Sequence, residues 1–395
     1  MKKVFFMALA LVSAMMFTAC DSDTKTPTGD KTKLWPAGVN GETLYGYIDA
    51  SGQMVIKAKY KAAYGFSCGW ALVRDEDGDI MYIDKNGQKA RSAEADSYSQ
   101  FYYDRCRFGE KGSSKTLYGM WDKNFQTVIP ADFEYLSSCS SDGLITFSED
   151  GKSYGFLDKN GKVVIPEEFD DADVFDDGIC VVYEKGSEAY KSGVIDTRGN
   201  ELIEMQKRGL FNMGEGRIGF YNSDKDKYGM WDSRGEEIIG ATYDDIDPFS
   251  CGLAMVEKNG KYGFIDKNGN EIISLSYVAA TSFADNVAWV KKNSDSKVEL
   301  IDKSGNQLLK LKDSEYPNGL FHNGLCEIGN DEGVHFYIDK NGEKIYKWDP
   351  NAKDDDDDAP ARKFFSKKAN IERMKATELG VRFESYEKAM ERMAR

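Results

Sequence analysis

An aspartate returns nine times along this chain, at Asp49, Asp84, Asp122, Asp158, Asp196, Asp232, Asp266, Asp302 and Asp339, with separations of 34 to 38 residues. A catalytic motif is normally written once per active site, whereas one written at near-constant spacing is scaffold. Ile, Leu or Trp stands before this Asp, and an aromatic-Gly pair usually opens the strand: Tyr45-Gly46, Tyr118-Gly119, Tyr154-Gly155, Tyr228-Gly229 and Tyr262-Gly263. Turn residues ending in Gly follow, then an apolar pair such as Val55-Ile56, Val164-Ile165, Ile238-Ile239 or Ile272-Ile273. Strand, turn and second strand make a hairpin.

Another short strand precedes each hairpin. Phe66, Phe175, Phe249, Phe283 and Phe321 each stand three residues before a Gly or Asn, and an apolar run such as Leu253-Ala254-Met255-Val256 follows. One column of that run reads Ala71, Cys106, Ile145, Cys180, Ile218, Ala254, Ala288 and Cys326. Cysteine there alternates with Ala and Ile, so it serves as a small buried hydrophobe and not as part of a disulfide framework. Cys68 and Cys251 share a second column, and they meet only if the array curls strongly. Each unit of three to four antiparallel strands buries one face only when a neighbour covers it, so stacking is obligatory. With 13% aromatic residues in fixed columns, layers of Tyr, Phe and Trp are expected between adjacent units.

The pattern Y-G-x-I-D-x-x-G-x-x-V-I, then Tyr243-Asp244-Asp245, then F-x-x-G-L-A-x-V, resembles the WG (KWG) repeat family over about residues 34 to 348. Copies two, five and eight depart from it, with Met81-Tyr82, Gly193-Val194 and Glu299-Leu300 read at the Tyr-Gly place. The resemblance implies a repeated all-β module of bacterial surface and secreted proteins, with no catalytic residues to carry over. The expected fold is all-β: tandem antiparallel repeats of about 36 residues, propeller-like, with an open β-solenoid or superhelix as the alternative and an amphipathic helix at the C-terminal end. Nine copies exceed the usual four to eight blades. An eight-bladed ring in which the first and last partial units share a blade reconciles the two, and the ninth copy is read as incomplete.

The ends carry an address. Lys2-Lys3, an apolar run from Val4 to Phe17, and Phe17-Thr18-Ala19-Cys20 form a secretory signal over 1–20 whose end resembles a bacterial lipobox, with Cys20 as the lipidated residue. Soluble secretion after cleavage near Ala19 is the other reading. The acidic start after Cys20 resembles the surface-export signals of Bacteroides-like lipoproteins, so the expected location is the outer membrane, surface-exposed, with a periplasm-facing position as the alternative. Residues 21–33 read as a tether. A formal charge of −15 argues against nucleic acid as a partner.

Residues 349–361 contain five consecutive aspartates and read as a linker. In 362–395, Leu379, Phe383, Tyr386, Met390 and Met393 recur at spacings of four, three, four and three, one face of a helix. That face either caps the last repeat, docks a separate partner, or meets a membrane surface.

Chemistry is sparse. The two histidines, His322 and His335, lack metal spacing to Cys or Glu, and no nucleophile elbow, zincin or phosphate-loop motif occurs. Asp75 to Asp79 and the group Asp170, Asp171, Asp173, Asp176 and Asp177 could suggest Ca²⁺, but the first lacks the distal Glu of an EF-hand loop and the favoured reading is an exposed acidic turn. No catalytic, cofactor-binding or metal-ligating residue is assigned. The expected function is a non-enzymatic, surface-anchored protein-interaction scaffold, its partner another envelope protein. Glycan or peptidoglycan binding, or a carbohydrate-active enzyme on the same scaffold, are the alternatives.

Overall fold

The computed structural model describes residues 33–352, apart from 94–98, 113–114, 186–189 and 207–208. Cys20, the signal segment, most of the tether, and the tail with Leu379, Phe383, Tyr386, Met390 and Met393 lie outside the described residues.

The seventh unit shows how the motif folds. A short strand, Asp245–Ile246, pairs with Ala254–Lys258; this pairs with Lys261–Ile265, and that with Glu271–Tyr277, all antiparallel. Nine sheets of this kind follow in chain order among the described residues, spanning 35–60, 62–93, 105–133, 135–169, 171–206, 209–243, 245–277, 279–310 and 315–348. Seven have four strands, and the first and third have three among the described residues. The ninth sheet therefore has all four strands, and the first has three among the described residues, because each hairpin takes its additional strands from the residues before it.

The apolar core lies between sheets. Phe264 and Ile273 of the seventh unit pack with Phe283, Ala288, Val290 and Ile301 of the eighth. Phe283 meets Phe264 edge-on with ring centroids 4.8 Å apart, and Phe175 meets Phe156 likewise at 4.7 Å. Each such ring, wholly buried, contributes about 1.5–3 kcal/mol. Neither sheet of a pair buries these rings alone, which is why the motif must recur. The cysteines of the small-residue column, Cys106, Cys180 and Cys326, are buried, and all six described cysteines are free thiols, Cys68 and Cys251 included.

The Tyr-Gly glycine answers to a bulge. In the first unit a Cβ on Gly46 would lie 2.2 Å from the Ile56 carbonyl oxygen, because the outer strand shifts register there and folds over it. The strand pairing also corrects the sequence alignment. Gly193 occupies this glycine column, preceded by Ser192, and its outer strand is bulged, so copy five keeps the glycine. The copies without it are two, eight and nine, with Met81, Glu299 and Phe336. Their outer strands run flush at this point, with pairs Met81↔Ser92, Glu299↔Lys310 and Phe336↔Lys347.

The array closes. Each turn glycine rests on the outer strand of the preceding unit: Gly87 on Ile56, Gly161 on Ile129, Gly305 on Ile273. Gly52 of the first unit rests in the same way on Ile345 of the ninth. Trp35, Ala37 and Ile48 share a cluster with Leu325, Tyr337 and Trp348. Trp35 Nε1 donates to the His322 carbonyl at 2.9 Å, Tyr337 Oη to the Pro36 carbonyl at 2.9 Å, and Gly41 N to the Asp349 carbonyl at 2.8 Å. The molecule is thus a closed ring of nine sheets. The eight-bladed ring with a shared blade and the open superhelix are both replaced, because the first and last units each keep their own sheet and meet across an ordinary joint.

Candidate functional site

All nine motif aspartates are consumed by their own turns. In every unit Oδ1 accepts the backbone N–H groups two and four residues on, as at Asp49 from Ser51 and Gln53, or Asp196 from Arg198 and Asn200. The same pair recurs at Asp84, Asp122 and Asp158. It recurs again at Asp232, Asp266, Asp302 and Asp339. A carboxylate holding two N–H donors is a turn-former, and the nine are removed from the list of functional candidates.

What varies is the turn after the F-x-x-G phenylalanine. At four joints these turns are bound to the next: Gly178 N donates to Asp142 Oδ2 at 3.0 Å, Glu215 N to Asp177 Oδ2 at 2.6 Å, Gly252 N to Glu215 Oε1 at 2.8 Å and Gly324 N to Asp285 Oδ2 at 2.6 Å. The residue after the motif Asp adds a lysine from the following unit. Lys267 Nζ lies 3.2 Å from Glu215 Oε2, Lys303 Nζ donates to the Cys251 carbonyl at 2.7 Å, and Lys340 Nζ donates to the Asp285 carbonyl. In units one, five and six that lysine is replaced by Ala50, Thr197 and Ser233. The turn a lysine at position 50 would serve, His322-Asn323 in unit nine, is not acidic, whereas lysines at 197 and 233 would serve Asp142 in unit four and Asp176-Asp177 in unit five.

Among the described residues no lysine or arginine makes an ion pair with Asp142, Asp176 or Asp177, although Arg198 and Arg234 follow Thr197 and Ser233 in sequence. Ser141 Oγ lies 3.3 Å from Asp176 Oδ1, and burial, then the neighbouring Asp177, push the Asp176 carboxyl up to about 6. Beside it stands Tyr103, 45% exposed, its phenol raised by burial and by Asp176. An acidic edge with one open aromatic ring suits a cationic group, through charge and cation–π attraction.

The other candidates resolve into structure. Asp75 to Asp79 is an exposed hairpin turn in which Asp79 N donates to Asp75 Oδ1 at 2.9 Å. Among the described residues no group of three or more His, Cys, Asp or Glu side chains is placed to hold a metal ion. His335 Nδ1 lies 2.9 Å from Glu327 Oε1 and its ring stacks on Trp348; His322 is held at the seam, and burial lowers its pKa. Trp35, Trp121, Trp231, Trp289 and Trp348 are buried, leaving Trp70 as the partly exposed one of the six. A depression of about 380 Å³ between the fifth and sixth sheets, lined by Leu202, Met205, Trp231 and Arg234, gathers no catalytic set. The sequence singles out Asp176 and Asp177 as an acidic group, but not their neighbour Asp142 or the absence of lysine at Thr197 and Ser233.

Nine radial sheets of three or four strands, closed across a seam, define a nine-bladed β-propeller. A profile of the WG-containing repeat matches residues 45–78, 118–152, 154–186, 228–262 and 262–294, and the chain is a WG-repeat protein. These five matches begin in the copies that carry Tyr-Gly. No curated protein matches the chain. Among solved structures, the crystal structure of the eukaryotic initiation factor is similar at TM-score 0.56 and 10% identity, over 80% of this chain and 95% of that one. BamB from Moraxella catarrhalis follows at TM-score 0.34 and 12% identity, over 72% of this chain and 86% of that one. Apo AztD from Citrobacter koseri gives 0.39 and 10%, over 84% and 96%. At these identities the first likeness concerns the fold alone.

Proposed function

We propose that this protein is a non-catalytic interaction scaffold that receives a basic segment of a protein partner on the acidic turns of units four and five. The observation that carries the reading is the loss of the lysine at Thr197 and Ser233, beside Asp142, Asp176 and Asp177. Every other conserved feature of the repeat is accounted for by folding. Anchoring through Cys20 to the outer membrane, with the propeller held outside the cell, belongs to the same proposal. The partner is then another envelope protein.

The test is fluorescence anisotropy with a labelled oligolysine peptide. The account expects binding that weakens steeply with salt, as exposed charge pairs are screened beyond about 10 Å at 0.1 M. Restoring the repeat's own lysine in the Thr197→Lys/Ser233→Lys variant is expected to weaken it about tenfold or more, worth about 1.4 kcal/mol. Asp142→Asn/Asp177→Asn acts in the same direction. Unchanged affinity in both variants contradicts the reading. Salt-insensitive capture of peptidoglycan fragments by wild type and variants alike supports the glycan alternative, and glycan hydrolysis abolished by one carboxylate substitution supports the enzymatic one.

A further inference from the structure

One position of the repeat, two residues before the F-x-x-G phenylalanine, is filled by a hydroxyl in three units. Ser99 Oγ accepts from Arg107 N at 3.0 Å, Ser137 Oγ from Thr146 N at 2.9 Å, and Thr281 Oγ1 from Trp289 N at 3.1 Å. In units five and seven the residue is a buried aspartate; Asp247 of unit seven accepts from Ser282 Oγ of the eighth unit at 3.1 Å, and the residue of unit five is Asp173. Its side chain is 7% exposed, Oδ2 lies 3.3 Å from the Tyr183 hydroxyl, and Oδ1 is buried without a hydrogen-bond partner. The same residue ties two blades together, since its carbonyl accepts from Thr146 Oγ1 of unit four at 2.8 Å and from Cys180 Sγ at 3.3 Å.

No cation answers it. The titratable groups around the carboxyl are Asp171, Cys180 and Tyr183 on its own sheet and Tyr135 from the fourth, and the nearby Arg107 spends Nη1 on the Leu136 carbonyl at 3.1 Å. Burying an ionised carboxylate with an unmet oxygen is costly, so the packed form is the neutral acid.

We infer that the joint between the fourth and fifth sheets is a proton-operated latch, closed while Asp173 carries its proton and loosened when that proton passes to solvent. Burial, then Asp171, raise this carboxyl to about 7, which places the change in the neutral range. The sign follows from linkage. Between the ordinary aspartate value of about 3.9 and the raised one, the folded state holds a proton the unfolded state has lost, so the joint weakens as pH rises. The inference is independent of which partner the propeller binds.

The test is hydrogen exchange of the full chain, read on peptides covering 171–183 from pH 5.5 to 8.5 after correction for intrinsic rates. Wild type is expected to lose protection there about tenfold for each unit of pH up to the titration and to level off above it, while peptides of the eighth unit stay flat. Asp173→Ser, which restores the hydroxyl of units three and four, and Asp173→Asn are expected to remain protected throughout; the serine variant keeps the test valid if the amide packs badly. An equal loss in the variants, or a flat wild type, overturns the inference.

Discussion

At Asp196 two turn N–H groups and the Asn200 amide, the latter at 2.8 Å, converge on one carboxylate. The Asn200 hydrogen bond is the largest cause holding its pKa below the ordinary aspartate value. Its stabilisation is therefore complete above that value and lost as pH falls through the lower folded one. Asp196→Ala is expected to cost about 1–2 kcal/mol at pH 7 by urea denaturation, with the difference from wild type vanishing in strong acid. Gly263 sets the steric counterpart: an added Cβ would lie 2.6 Å from the Ile273 carbonyl oxygen and 2.8 Å from Leu275 N. Both are backbone atoms and yield little, so Gly263→Ala is expected to destabilise by about 1–3 kcal/mol in the same assay.

Between the second and third sheets the joint is built differently. Elsewhere a turn glycine rests on an isoleucine or leucine; here Phe125 takes the glycine's place at φ 60 and Arg91 takes the isoleucine's. Arg91 lies over Trp121 at 3.9 Å and donates to the Phe125 carbonyl at 3.2 Å, while Phe125 packs against Trp70 and Tyr82 with ring centroids 5.1 Å away. The left-handed backbone at Phe125 costs about 1–2 kcal/mol, less than its aromatic contacts return. Arg91→Ile and Phe125→Gly are each expected to destabilise, and the double variant, which recreates the ordinary joint, to cost less than their sum by about 1 kcal/mol. Thermal denaturation of the four proteins closes the cycle, and strict additivity contradicts the coupling. This joint also shows what the sequence made legible. The period, the hairpins and the buried cysteine column followed from spacing and residue size. The glycine column slipped by one position in copies such as the fifth, because spacing alone does not say which residue lies beneath a bulge. Asp176 and Asp177 were legible as an acidic group, but not the missing lysines beside them, because Thr197 and Ser233 matter only once the lysines of neighbouring units are seen reaching back to the previous turn.

At the scale of the whole molecule, the ring rests on one seam that the chain does not cross. Trp348 fills it, against Gly38, Tyr337 and His335. Trp348→Ala is expected to cost about 3–5 kcal/mol and to broaden the unfolding transition, since loss of the last joint lets terminal units open separately. The structure bears out the propeller-like expectation, but nine separate blades in place of eight were not readable from the repeat, because the angle between successive sheets is set by how their aromatic layers pack.

The central claim, that nine repeat units close into one ring, is tested most directly by a spin-label distance between positions 42 and 351 in a Cys20→Ser/Cys68→Ser background, which removes the one exposed thiol among the described residues and the cysteine outside them. A closed propeller predicts one short, narrow distance of about 20 Å or less, since the two segments meet across a single joint of about 10 Å. An open stack of nine sheets at about 10 Å each would place the labels on the order of 80 Å apart, and a distance in that range would contradict the account.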